Sequence, residues 1–227
     1  FNLMLISIHQ PEHLPWPGFF NKIKLVDLFV ILDDVKYRKG YFHNRNKIID
    51  NLGNEQWITI PVIHLHDEEL INKKKIKLDD YKKLQIYKDK IFNIYKYTDY
   101  FKLYEKEFFS IYEKNYEYLV DLNLHLISFF LDKLEIKTKL IRSSEITYEG
   151  KKSNLNLSIC KKLKASEYLS GKSGKDYLDL KSFERENIKV DFHQFKYPQF
   201  KKNFKYPNLS TLDMLFKLGP DAKKFII

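Results

Sequence analysis

A histidine and a glutamine stand side by side where a short apolar run ends: Leu3-Met4-Leu5-Ile6-Ser7-Ile8 gives way to His9-Gln10-Pro11. Near neutral pH an imidazole can take or give a proton, or hydrogen-bond a phosphate. The amide beside it can donate to an oxyanion. His13 completes this first constellation. The competing reading is a structural histidine that satisfies backbone groups in a proline-rich turn.

A second cluster begins with the carboxylates Asp33 and Asp34 and continues through Lys36, Arg38, Lys39, His43, Asn44, Arg45 and Asn46. Paired acids can bind a sugar hydroxyl, a cation or an ammonium, and guanidinium and amide groups can grip phosphate or carboxylate. A capping aspartate followed by a solvated basic loop accounts for the same residues. The third cluster is Ser170-Gly171-Lys172-Ser173-Gly174-Lys175. Its two glycines would let the backbone approach an anion, and its lysines supply charge. The spacing is not that of a Walker A loop, and a plain glycine turn fits it equally. His64-Leu65-His66 with Asp67 and Glu68 could turn two imidazoles to one face of an extended segment. No second cluster completes the set, so no metal is assigned. The single cysteine, Cys160, sits on the apolar side of a helical pattern and reads as a small core residue. There is no G-x-S-x-G, no paired CxxC and no dinucleotide fingerprint.

These residues are placed by the elements around them. Leu3 to Ile8 and Leu28 to Leu32 read as buried strands, with a helix from about Pro15–Pro17 to Val26 between them. His9-Gln10 and Asp33-Asp34 therefore fall at two strand ends. Asn44 to Asp50 and Gln56 to Val62, with Gly53 at the turn, read as a β-hairpin. From about 78 to 134 apolar residues recur at helical spacing, first through Leu84, Tyr87, Ile91 and Tyr95, then through Phe108, Tyr112, Tyr116, Leu119 and Leu126. This long helical insertion joins near Asp99-Tyr100, and its aromatic stripe reads as packing. Lys137 to Arg142, Glu167 to Ser170 and Ile188 to Phe192 are further strands. Helices are expected over Ser153 to Leu163, Thr211 to Lys217 and Asp221 to Ile227. Alternating strands and helices predict one α/β domain over residues 1–227, with a mainly parallel, Rossmann-like sheet flanked by helices.

Lys and Arg total 40 against 30 Asp and Glu, a net charge of +10 over 227 residues. Such a surface attracts nucleotides, phosphorylated sugars, nucleic acid or acidic lipid, although a chain this rich in Lys, Ile, Asn, Tyr and Phe also reflects drift in an AT-rich genome. The Lys-rich stretch from Asn72 to Lys90 reads as a solvated face. No apolar run approaches the roughly 20 residues of a membrane span, and Asn2 to Ile8 lacks the basic start of a secretory leader. One cysteine excludes an internal disulfide and suits a reducing, cytoplasmic setting.

Ile8-His9-Gln10-Pro11-Glu12-His13-Leu14-Pro15-Trp16-Pro17-Gly18-Phe19-Phe20-Asn21-Lys22-Ile23 resembles the opening signature of the WbqC-like family. Phe29 to Val35, His43 to Asn46, Trp57 to Val62, Tyr168 to Leu178 and Leu209 to Pro220 are similar to later parts of the family pattern, in the same order. The family is associated with gene clusters for O-antigen and capsule, often those making amino sugars. The resemblance implies a transferase that modifies an amino sugar carried by a nucleoside diphosphate, with an acyl or aminoacyl group such as glycyl as the moiety moved. His9, Gln10, Asp33 and Asp34 would then be catalytic, with His9 as general base. His43, Asn44, Arg45, Asn46 and the loop residues Ser170, Gly171, Ser173, Gly174 and Lys175 would bind substrate. His13 stands where the family pattern has Tyr and is not carried over. The donor could be carried on tRNA. A histidine turn leading into a helix also resembles nucleotidylyltransferases, which makes an ATP-dependent ligase or nucleotidyltransferase the alternative. Those enzymes carry an H-x-G-H pair that is absent here, so no cofactor is assigned. A non-catalytic anion-binding module is the third reading.

Overall fold

The protein is described from a computed structural model covering residues 3–66, 68–77, 81–196 and 209–226. Asp67, the start of the helical stretch at 78–80 and the terminal Ile227 lie outside the described residues. The chain forms two compact units. The first comprises Phe1–Gln10, Asn21–Asp34 and Lys137–Lys196; the second comprises Pro11–Phe20, Val35–Ile136 and Tyr197–Ile227. One of the chain's boundaries between the units, Phe20 to Asn21, falls within helix α1 (Pro17–Lys24).

The first unit holds β1 (Leu5–His9), β2 (Leu28–Ile31), β5 (Lys139–Arg142), β6 (Glu167–Ser170) and β7 (Lys189–Phe192). All neighbours run parallel, in the order β5-β2-β1-β6-β7. Ile6 and Ile8 of β1 and Phe29, Val30 and Ile31 of β2 are buried. Such continuous apolar runs mark strands covered on both faces, as parallel sheets require. Ser7 is tolerated in the middle of β1 because its hydroxyl donates to Leu169 O at 2.6 Å. The helices α5 (Ser153–Lys162) and α6 (Leu180–Arg185) belong to this unit. Register aligns the strand ends: His9 lies beside Ile31 and Ile31 beside Arg142 on one side, and Ser170 lies beside Phe192 on the other.

Strand order carries functional meaning. The chain adds β2 and then β5 on one side of β1, and returns to add β6 and then β7 on the other. The order reverses between β1 and β6. Ligands of open α/β sheets sit outside the carboxyl ends of strands at such a switch point. His9-Gln10 and Ser170-Gly171 are the residues at those two strand ends.

The second unit is built on the antiparallel hairpin of β3 (Arg45–Ile49) and β4 (Glu55–Thr59), with α2 (Tyr81–Tyr95), α3 (Phe101–Ile111), α4 (Leu119–Lys133) and α7 (Thr211–Leu218). Asp50 Oδ1 accepts from the amides of Leu52 and Asn54 and shapes the turn, where Gly53 has φ +85°. The expected aromatic stripe is a packed core. Phe216 lies 5.1–5.6 Å, centroid to centroid, from Tyr95, Phe101 and Phe108. The helical pattern expected to run from Phe108 to Leu126 is interrupted. Between α3 and α4, Glu117 O accepts from Ile76 N, Lys74 O accepts from Leu119 N, and Tyr118 bridges Lys75. Pairing with a distant segment, which spacing along the chain does not report, ends the helix. The last expected helix is a 3₁₀ segment, Gly219–Phe225, because Gly219 leaves α7 at φ +57° and Pro220 follows.

Candidate functional site

At the carboxyl end of β1, His9 is half-buried and its Nδ1 lies 3.0 Å from Gln10 O. A carbonyl only accepts, so Nδ1 is the donor in this bond. At the end of β2 the two carboxylates part company. Asp33 is fully buried. Its oxygens receive Arg142 Nε at 2.7 Å, Ser144 N at 3.1 Å, Ser144 Oγ at 3.0 Å and Ser143 Oγ at 3.2 Å. Four donors, one of them cationic, make Asp33 a brace that ties β2 to the segment after β5. Asp34 is half-buried, and its Oδ1 is engaged. Oδ1 accepts from Tyr148 OH at 2.6 Å and shares the single Ser143 hydroxyl proton with Asp33. Oδ2 has no hydrogen-bond partner among the described residues. Burial first, and then the bond to Asp34, push the Tyr148 phenol well up, so it stays a neutral donor. Asp34 is thus an oriented carboxylate with one open oxygen.

On the β6–β7 side, Asn21 Oδ1 lies 2.6 Å from His193 Nε2. Burial, reinforced by the charge of Lys22, holds the His193 imidazole down at about 4. The Lys22 side chain is buried, with Nζ 5.7 Å from the centre of the Phe29 ring. A Cβ on Gly171 would lie 3.9 Å from that ammonium. Gly174 is closed to any side chain: its Cβ would meet Ser170 Oγ at 2.1 Å. Ser170 to Lys175 is a packed 3₁₀ turn over Lys172–Asp176. One of its glycines is needed for packing against Ser170, while Ser173 and Lys175 are exposed.

The other expected binding residues lie in the second unit, and the asparagines there are occupied. Asn44 accepts from Tyr37 OH at 2.9 Å and donates to Ile60 O at 2.8 Å. Asn46 donates to the carbonyls of His13 and Leu14 and accepts from Lys47 N. Both pin backbone. Arg45 alternates to the outer face of the hairpin, with its guanidinium 4.2 Å from the Trp57 ring centre. His43 is buried with Nδ1 on Pro11 O at 3.3 Å, and its Nε2 has no partner among the described residues.

His13 is structural, and its protonation follows from its partners. Asn123 Nδ2 donates to His43 O at 2.7 Å, so Asn123 Oδ1 faces His13 and accepts from Nδ1 at 2.9 Å. Nε2 then accepts from Tyr87 OH at 2.8 Å, and Tyr87 in turn accepts from Tyr112 at 2.7 Å. Burial holds this imidazole down at about 4. Among the described residues no group of His, Cys, Asp and Glu side chains could hold a metal ion. Cys160 is buried, which pushes its thiol up to about 12 and keeps it from acting as a thiolate. No helix of the described residues is long and apolar enough to cross a membrane.

Ser143, Tyr148, Asn21, Lys22 and His193 are not among the site residues expected from the sequence. A signal for the first existed: Arg142-Ser143-Ser144-Glu145 is a polar run at the end of a strand, as Asp33-Asp34 is. For Lys22 the signal was its place three residues after Phe19, within the apolar pattern of α1.

A model of the WbqC-like protein family matches residues 10–225. The chain is similar to a Mycobacterium tuberculosis protein named "Uncharacterized protein Rv1507c", with 31% identity over 226 residues, covering 97% of this chain and 96% of that one. No solved structure matches.

Proposed function

This chain belongs to the WbqC-like protein family, and from that premise we propose that it is a cytoplasmic transferase of surface-polysaccharide assembly that acylates or aminoacylates the amine of a nucleotide-linked amino sugar. The observation that carries the reading is the pair of groups at the ends of the adjacent strands β1 and β2. One is an imidazole whose Nδ1 donates to Gln10 O; the other is a carboxylate held through one oxygen by Ser143 and Tyr148, with Oδ2 unbonded among the described residues.

The sugar amine arrives as an ammonium and is not nucleophilic. His9 Nε2 takes one proton from it. The nitrogen lone pair then attacks the acyl carbon of the donor, forming the C–N bond and placing charge on the carbonyl oxygen, where the Gln10 amide donates. Collapse breaks the bond between the acyl carbon and its carrier. The proton held by His9 passes to the departing carrier oxygen or sulfur, and the freed imidazole then takes the second proton from the new C–N nitrogen and releases it to solvent, which leaves a neutral amide. Asp34 Oδ2 accepts from the ammonium or a neighbouring sugar hydroxyl and fixes the amine in line. Asp33 acts one step removed, by holding Arg142 and the serines that shape the site.

The test is turnover by purified protein with nucleoside-diphosphate amino sugars and acyl or aminoacyl donors, read as new amide product. His9→Ala should abolish turnover and leave the melting temperature close to that of the parent. Full activity in that variant would remove the mechanism. Amide formation that consumes ATP would replace it with the ligase reading.

A further inference from the structure

The outer face of the β3–β4 hairpin carries side chains that the second unit does not need for its core. Strand alternation sends Asn46, Ile48 and Ile58 inward, where they are buried, and sends Lys47 and Trp57, which are register partners, outward. Trp57 is 40% exposed. Arg45 lies 4.2 Å and Lys47 Nζ 5.3 Å from the centre of its ring. The Phe42 ring, also exposed, is 6.0 Å away. Lys90 reaches the same place from α2 and donates to Trp57 O at 2.9 Å. Next in sequence is a second stack of the same kind, Arg38 over the exposed ring of Tyr41 at 5.3 Å.

Three exposed aromatic rings interleaved with Arg38, Arg45, Lys47 and Lys90 exceed what a hairpin needs. A cross-strand pair contributes roughly 0.2–1 kcal/mol and an exposed cation–π contact about 0.5–1 kcal/mol. Leaving large aromatic surface in water gives up most of what burial of such rings supplies. The acids do not cancel the charge: Glu55 pairs with Lys47, and the other three cations have no salt-bridge partner among the described residues. Exposed rings with cations packed over them match one chemistry, a base that stacks into the same layer and a phosphate that follows it. The surface is shallow and spread over two stacks. It therefore suits successive nucleotides of a strand better than one enclosed mononucleotide.

We propose that the Trp57–Phe42–Tyr41 face of the hairpin is a binding surface for single-stranded RNA, with bases stacked on the rings and phosphates met by Arg38, Arg45 and Lys90. It stands apart from the acyl-transfer reading and is tested without turnover. The full chain is titrated with a short oligouridine at low ionic strength while tryptophan emission is followed. Trp57 should be quenched, and the binding constant should fall with added salt at a log–log slope of about −2, the value for roughly three phosphate contacts on a single strand. Trp57→Ala should weaken binding about tenfold or more, and Arg38→Ala should weaken it and reduce the slope by about 0.7. Circular dichroism and the melting temperature check folding. If Trp57→Ala fails to fold, Arg38→Ala carries the test, because Arg38 is exposed and its side chain lies on the exposed ring of Tyr41. The proposal is overturned if emission does not change, or if binding is undiminished in the folded variants. It is equally overturned if uridine diphosphate binds as tightly as the oligonucleotide, which would assign the face to a mononucleotide.

Discussion

Two adjacent carboxylates that look alike in sequence have different work, and their variants should separate it. Asp33 is fully buried and holds four donors, including the guanidinium of Arg142. Removing one partner of a buried pair leaves the other uncompensated. Because Arg142 keeps some exposure, Asp33→Ala should cost about 3 kcal/mol, the low end of what such losses cost. Asp34→Asn keeps an acceptor for Tyr148 and should change stability by less than about 1 kcal/mol. It should nonetheless lower kcat/KM about tenfold or more, since the open oxygen becomes an amide group. Urea melts and turnover of both variants decide this. A stable Asp33→Ala, or a fully active Asp34→Asn, would dismiss the division of labour. The pair was legible as polar residues at a strand end. Which member is the brace was not, because Arg142, Ser143, Ser144 and Tyr148 come from more than a hundred residues away.

At the scale of elements, strands and helices that obey a simple period were readable. The buried runs of β1, β2 and β6 and the hairpin turn at Gly53 stand where apolar runs and turn residues place them. What sequence could not supply was pairing between distant segments. The bridge from Lys75 to Tyr118 splits a helical pattern in two. The Ser170–Lys175 loop shows the same limit. Its glycines suggested backbone approach to an anion, yet Gly174 is small because Ser170 Oγ and Leu178 Cδ1 occupy the space a side chain would take. Gly174→Ala should therefore disturb the end of β6. A methyl group forced into a packed site costs about 1–3 kcal/mol, and displacement of Ser170 and Gly171 should also reduce turnover. Thermal melting and activity of this one variant test the packing role. An unperturbed melting temperature would return the glycine to its anion-binding reading.

Over the whole molecule, the histidines should make stability depend on pH in a narrow window. His13, His43 and His193 are buried, and burial holds each imidazole at about 4. In the unfolded chain each titrates near 6.5. Unfolding therefore takes up protons between those values, and stability falls as pH falls. Above about 6.5 these groups contribute no slope, and below about 4 both states are protonated and the loss is complete. Each deeply buried histidine of the second unit, His13 and His43, can lose about 3 kcal/mol across the whole window at ~1.4 kcal/mol per pH unit. His193 acts in the same direction in the first unit. Between pH 6.5 and 5 most carboxylates remain ionised, so that interval isolates the imidazoles. Denaturant unfolding at pH 7.5, 6 and 5 should show a flat region and then a steep decline. His13→Gln should be less stable than the parent at pH 7.5, since it breaks the Asn123–His13–Tyr87 chain of hydrogen bonds. The same variant should lose less on acidification, because one proton fewer is taken up. Equal pH slopes in parent and variant would mean that His13 is not the buried neutral group its partners require.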